Sequence, residues 1–146
     1  GDGRAEVIVG SPASGVGGAV ALWKAVSLPT TSGSLASASL RFTGTAAAPI
    51  GYAFAADVDV DGDGDADLLL GTGASVRLYL ASTLPPTGAI AATSASYTWA
   101  GAAGITTSVG GAGDTDGDGR GDLVVGLVTD DAGTVAGAGA LLRSPL

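Results

Sequence analysis

The 146-residue chain has no cysteine, no histidine and no methionine. Without cysteine there can be no disulfide and no thiol nucleophile. The further lack of histidine removes zinc sites of the usual kind and any Ser-His-Asp triad. A chain without Met, even at residue 1, is expected to be a processed product or a piece of a longer polypeptide. Basic residues are few and scattered: Arg4, Lys24, Arg41, Arg77, Arg120 and Arg143. With a formal net charge of −8, they supply no clustered cations for phosphates, which argues against nucleic acid. No apolar run reaches about 18 residues, so no membrane-spanning helix is expected. No signal peptide is visible.

What the chain has in quantity is glycine, with 26 residues, and these together with six prolines break it into short apolar runs such as Val7-Ile8-Val9 and Leu68-Leu69-Leu70. No segment carries a sustained helical stripe, and Gly interrupts the many alanines every few positions, so the predicted fold is all-β. A hydrophobic content of 46% separates it from disordered Gly/Ser-rich sequence.

The acids are gathered, not spread. Twelve of the 14 fall in three stretches: Asp2 and Glu6; Asp57, Asp59, Asp61, Asp63, Asp65 and Asp67; and Asp114, Asp116, Asp118 and Asp122. Asp130 and Asp131 lie elsewhere. The stretches mark an internal repeat. Asp2 to Gly10 aligns with Asp63 to Gly71 and with Asp118 to Gly126. Behind each comes a second anchor: Ala19 to Lys24, Ser75 to Leu80, and Ala138 to Arg143. Ile50 to Ala56 resembles Ile105 to Gly111, and Ala38 to Gly44 resembles Ser94 to Gly101. The unit reads strand, acidic loop, strand, Gly turn, strand, longer loop, strand. Four strands in about 55–60 residues is the size of a β-propeller blade. The predicted division is a partial blade over 1–44 (strands 2–4), a complete blade over 45–101, and a partial blade over 102–146 (strands 1–3). About two and a half blades cannot close a ring, since propellers need about four to eight. The preferred expectation is continuation into a larger propeller. The other is completion by further copies, meeting through residues 1–44 and 105–146.

These residues resemble the FG-GAP repeats, the calcium-binding blades of integrin α-subunit propellers and of many bacterial surface proteins. The family pattern is Phe-Gly, then Asp-x-Asp-x-Asp-Gly-x-x-Asp-Leu, then a Gly-Ala-Pro turn. Ile50-Gly51 stands for Phe-Gly, and Gly10-Ser11-Pro12 for the turn. The later blades lack the proline, with Gly71-Thr72-Gly73 and Gly126-Leu127-Val128 in its place.

The resemblance implies Ca2+ as the cofactor. Calcium takes six to eight oxygen ligands at about 2.3–2.6 Å. A nine-residue loop would supply side chains 1, 3 and 5, the carbonyl of 7 and the carboxylate of 9, with Gly at 6 allowing the reversal. The expected ligands are Asp59, Asp61, Asp63, the Asp65 carbonyl and Asp67, then Asp114, Asp116, Asp118, the Arg120 carbonyl and Asp122. Asp2, Arg4 and Glu6 would form a partial site, since its first two ligand positions lie before residue 1. A competing frame through Asp57, Asp59, Asp61, Asp63 and Asp65 would place Ala66 where the other loops have Val7 and Leu123, and is rejected. Asp57 is then expected to face solvent. An EF-hand fails because its twelfth position would be Leu70 or Val125 and no helices flank the loops. Magnesium, which demands near-ideal octahedral geometry, fits less well. Merely polar Asp-Gly turns would crowd carboxylates at a cost of about 1 kcal/mol per pair at about 4 Å in water.

Arg120-Gly121-Asp122 spells the tripeptide that integrins recognise, but Asp122 is needed in the loop. Trp23, Phe42, Tyr79, Tyr97 and Trp99 are expected in the blade-to-blade core, with sugar stacking a second use for Tyr97 or Trp99. A glycosidase-like pair of Asp57 and Asp59 is rejected because it lies inside the metal loop. The chain is therefore expected to be no enzyme. It is expected to be an extracellular or cell-surface scaffold for protein binding or adhesion, stiffened by calcium. The alternatives are a carbohydrate-binding propeller and a non-catalytic accessory module of a larger secreted protein.

Overall fold

The computed structural model describes residues 4–29, 32–73, 75–100, 105–131 and 134–144. The short apolar runs form strands, and the described residues contain no α-helix, only three single turns of 3-10 helix.

β1 (Val7–Ser11), β2 (Ala19–Trp23) and β3 (Leu40–Thr43) form an antiparallel sheet. β4 (Ala53–Val58), β5 (Asp67–Gly71) and β6 (Ser75–Tyr79) begin a second. The chain then makes β7 (Gly88–Ala91) before returning as β8 (Tyr97–Ala100). β8 completes the second sheet in the order β4-β5-β6-β8, antiparallel throughout. β9 (Ile105–Gly113), β10 (Asp122–Asp131) and β11 (Thr134–Leu142) make a three-stranded antiparallel sheet. All-β sheets of four antiparallel strands are what the repeat predicts, and none closes on itself.

β7 departs from that expectation. It leaves the second sheet and pairs with β3 in parallel register, Leu40 opposite Gly88 through Thr43 opposite Ala91. The first sheet therefore has four strands, β1-β2-β3-β7, and is not wholly antiparallel. The repeats show no such strand, because in them this stretch reads as the longer loop.

The sheets pack face to face, and β5 shows how. Its five residues are all buried. Alternation sends Leu68 and Leu70 into one core with Val20, Leu40, Phe42, Ile50 and Tyr79. It sends Leu69 into the other, with Val58, Val60, Leu78, Leu123 and Val125. A strand covered on both faces must be apolar at every interior position, and each leucine so buried contributes about 1.5–3 kcal/mol. Phe42 and Tyr79 meet edge-to-face, with ring centroids 4.9 Å apart. Trp23 is buried too, but Tyr97 is exposed, so the core expectation fails for it. Tyr97 lies on the last strand of the second sheet, stacked on partly buried Trp99 with centroids 6.3 Å apart.

Gly51 explains the Phe-Gly position. Its φ is +99°, and a side chain there would meet the Ala19 carbonyl oxygen at 2.8 Å and the Ser11 and Pro12 nitrogens at 3.0 Å. The turn of the first sheet thus seats on the glycine that opens the second, and a Cβ would hold them apart.

Candidate metal centre

Each acidic loop closes a hairpin. Residues 59–66 join β4 to β5, and residues 114–121 join β9 to β10. The carboxylates could be expected to repel one another and splay the loop, but backbone donors fold it around its first residue. Asp59 Oδ1 accepts the N–H groups of Gly62 at 2.7 Å and Asp63 at 3.2 Å, and its Oδ2 accepts that of Gly64 at 2.8 Å. In the second loop Asp114 Oδ1 accepts Gly117 at 2.6 Å and Asp118 at 3.2 Å, and Oδ2 accepts Gly119 at 2.8 Å. These three bonds to the first carboxylate are the same in both loops. These donors favour the ionised form and hold the Asp114 carboxyl below its ordinary value, Gly119 contributing most.

This winding needs two left-handed residues per loop. Gly62 and Gly64 have φ of +79° and +91°, and Gly117 and Gly119 have +82° and +88°. The sequence reading asked for glycine at position 6 alone. Position 4 is equally constrained, and the Asp-Gly-Asp-Gly string carries that signal in both loops.

The closing carboxylates are buried, each at 0% exposure. Asp67 Oδ2 accepts the Val60 N–H and Oδ1 the Ala81 N–H, both at 2.9 Å. Asp122 Oδ2 accepts the N–H of Thr115 at 2.9 Å and also its hydroxyl, while Oδ1 accepts the Ser144 N–H at 2.9 Å. The two closing carboxyls are shifted in opposite directions. Burial raises the Asp67 carboxyl above its ordinary value, with Asp61 and Asp63 adding to the effect, although the Ala81 and Val60 donors oppose it. Asp122 has the Thr115 hydroxyl where Asp67 has Val60, and that extra donor, aided by backbone donors, holds its carboxyl low.

Three carboxylates converge in each loop. Asp59, Asp61 and Asp67 offer oxygens all within 4.8 Å of one another, and so do Asp114, Asp116 and Asp122. Oxygens on opposite sides of a calcium ion would stand about 4.6–5.2 Å apart, so either group could hold such an ion. The donor set, oxygen alone with no sulfur or imidazole, suits a hard cation. Asp63 and Asp118 lie outside these groups of three, and their Oδ1 atoms accept the N–H groups of Asp65 at 2.8 Å and Arg120 at 2.9 Å. Asp57 is exposed. Of the partial site, Arg4 and Glu6 are exposed and Asp2 lies outside the described residues. Buried Asp122 presents no carboxylate to an integrin, so the Arg-Gly-Asp string is not displayed.

Successive three- and four-stranded sheets, packed face to face, the second and third each with an acidic loop closing its leading hairpin, define a repeat protein of propeller-like blades. Residues 59–125 match the family model of the FG-GAP-like repeat, so the resemblance read from the motifs holds across that stretch. The match begins at the first residue of one loop and ends just past the last residue of the other, enclosing both. No curated protein matches the chain significantly.

Proposed function

We propose that this chain is a segment of an integrin-like propeller whose two acidic loops bind calcium, and that it acts as an extracellular scaffold for protein binding or adhesion. One observation carries the reading: two loops 55 residues apart repeat the same hydrogen bonds and converge the same three carboxylates. Calcium would supply positive charge at those oxygens. The chain's own part is to hold the carboxylates ready through Gly62, Gly64, Gly117, Gly119 and the buried anchors of Asp67 and Asp122. Metal binding to the native loop then adds to folding stability. Affinities as weak as about 10⁻⁴–10⁻³ M suffice for extracellular modules. The scaffold role involves no catalysis. No helix among the described residues is long and apolar enough to cross a membrane.

Thermal melting in millimolar calcium, and again after chelation, tests the reading. The expected result is a large fall on chelation, restored by calcium and weakly by magnesium. An unchanged midpoint would remove calcium from the account.

The stacked Tyr97–Trp99 pair favours a second reading, a carbohydrate-binding propeller, because stacked aromatic faces on an outer strand suit sugar rings. A glycan array probed with the chain and with Trp99→Ala decides it, and the absence of any glycan hit would end that reading.

A further inference from the structure

The two acidic loops are joined to each other. Gly121, at position 8 of the second loop, donates its N–H to the carbonyl of Asp59, position 1 of the first, at 2.7 Å. Ser144, just beyond β11, joins them again. Its N–H donates to Asp122 Oδ1 at 2.9 Å and its hydroxyl to the Val60 carbonyl at 2.7 Å. Val60 in turn donates its own N–H to Asp67 Oδ2 at 2.9 Å. The two buried closing carboxylates are therefore the ends of one hydrogen-bonded path: Asp122, Ser144, Val60, Asp67. Neighbouring Arg143 adds an ion pair to Asp116 at 3.7 Å.

Comparison with the first loop separates the generic part of this arrangement from the particular part. There Ala81 takes the place of Ser144 and gives Asp67 the same N–H bond. Alanine has no hydroxyl, so the bond from Ser144 to Val60 is an addition specific to this blade interface. The loops are also pressed together: a Cβ on Gly121 would strike the Val58 side chain and the Asp59 carbonyl.

We propose that Ser144 is a positioning residue that makes cation binding at the two loops positively cooperative. The proposal rests on the calcium reading above. Filling the second loop fixes Asp122 and with it Ser144. The hydroxyl then holds the Val60 segment that anchors Asp67, so the first loop has less order left to gain when its own cation enters. The effect is reciprocal.

Calcium titration of the metal-free 146-residue chain by calorimetry tests this. Asp114→Asn disables the second loop and should weaken the first about 5-fold or more, the lower end of typical coupling between sites. Ser144→Ala keeps the N–H on Asp122 and removes the hydroxyl. Both loops should still bind calcium, but disabling the second should no longer weaken the first. Ser144→Thr keeps a hydroxyl and should restore the dependence. A second readout needs no change at Ser144: in Asp114→Asn, calcium at the first loop should slow hydrogen exchange at the Gly121 amide. If two ions bind with affinities that ignore each other, or if Ser144→Ala leaves the dependence intact, the coupling is refuted while the calcium reading stands. If no calcium binds, both fall.

Discussion

Replacing Asp67 separates its two jobs, holding backbone and holding a cation. Asp67→Ala leaves the Val60 and Ala81 N–H groups without their acceptor. An unsatisfied buried donor costs about 1–3 kcal/mol; the Val60 bond is buried and the Ala81 bond partly so. The sum is about 2–4 kcal/mol even without metal. At about 3 °C per kcal/mol for a domain of this size, the chelated variant should melt about 6–12 °C below the parent. Asp67→Asn keeps one acceptor and removes a charge that burial and the Asp61 and Asp63 carboxylates make unfavourable in the metal-free fold. In chelator it should therefore cost less than alanine. In calcium the order of importance changes. A ligand at about 100 times its dissociation constant stabilises by about 2.7 kcal/mol, and both variants should lose most of the share due to the first loop. Differential scanning fluorimetry in chelator and in calcium gives all four comparisons. An alanine variant within about 0.5 kcal/mol of the parent in chelator would show that Asp67 anchors nothing, and an asparagine variant worse than alanine there would refute the electrostatic half of the reasoning.

Gly64→Ala and Gly119→Ala place a side chain at φ near +90° with open space around it. Each should cost about 1–2 kcal/mol by backbone strain alone, read as a lower urea midpoint, and an unmoved midpoint would contradict the left-handed assignment. Gly121→Ala should cost about 1–3 kcal/mol by overpacking against Val58, and equal stability would mean that the blade interface yields freely. Burial raises the Tyr79 phenol, with Arg77 opposing, and its hydroxyl donates to the Ala92 carbonyl at 2.6 Å. A raised value favours the neutral form in the fold, so this contribution is whole below the ordinary value of about 10 and is lost as pH rises through the folded-state value. Tyr79→Phe should flatten that alkaline decline in stability; an unchanged slope would assign it to another group.

Much of the architecture was legible because its causes are local. Glycine spacing, short apolar runs and the repeated Asp string identify strands and hairpin loops. The choice of frame, made by asking where Val7, Leu68 and Leu123 fall, places Asp67 and Asp122 at the strand openings where they are buried. What escaped was backbone chemistry and contact at a distance. Nothing in the identity of Val60 or Ala81 announces that their N–H groups hold a carboxylate. Ser144 meets Val60 across 84 positions. Gly88-Ala89-Ile90-Ala91 has little strand character of its own, and it becomes β7 because β3 offers a free edge.

That strand means the repeat in sequence is not the unit in space. A cut between residues 44 and 45 looks clean along the chain, yet it would strip the first sheet of the outer strand supplied by residues 88–91. The first blade thus borrows its outermost strand from the second. Deleting or transplanting residues 45–101 would therefore carry away part of the preceding blade, so the first sheet travels whole only together with its neighbour.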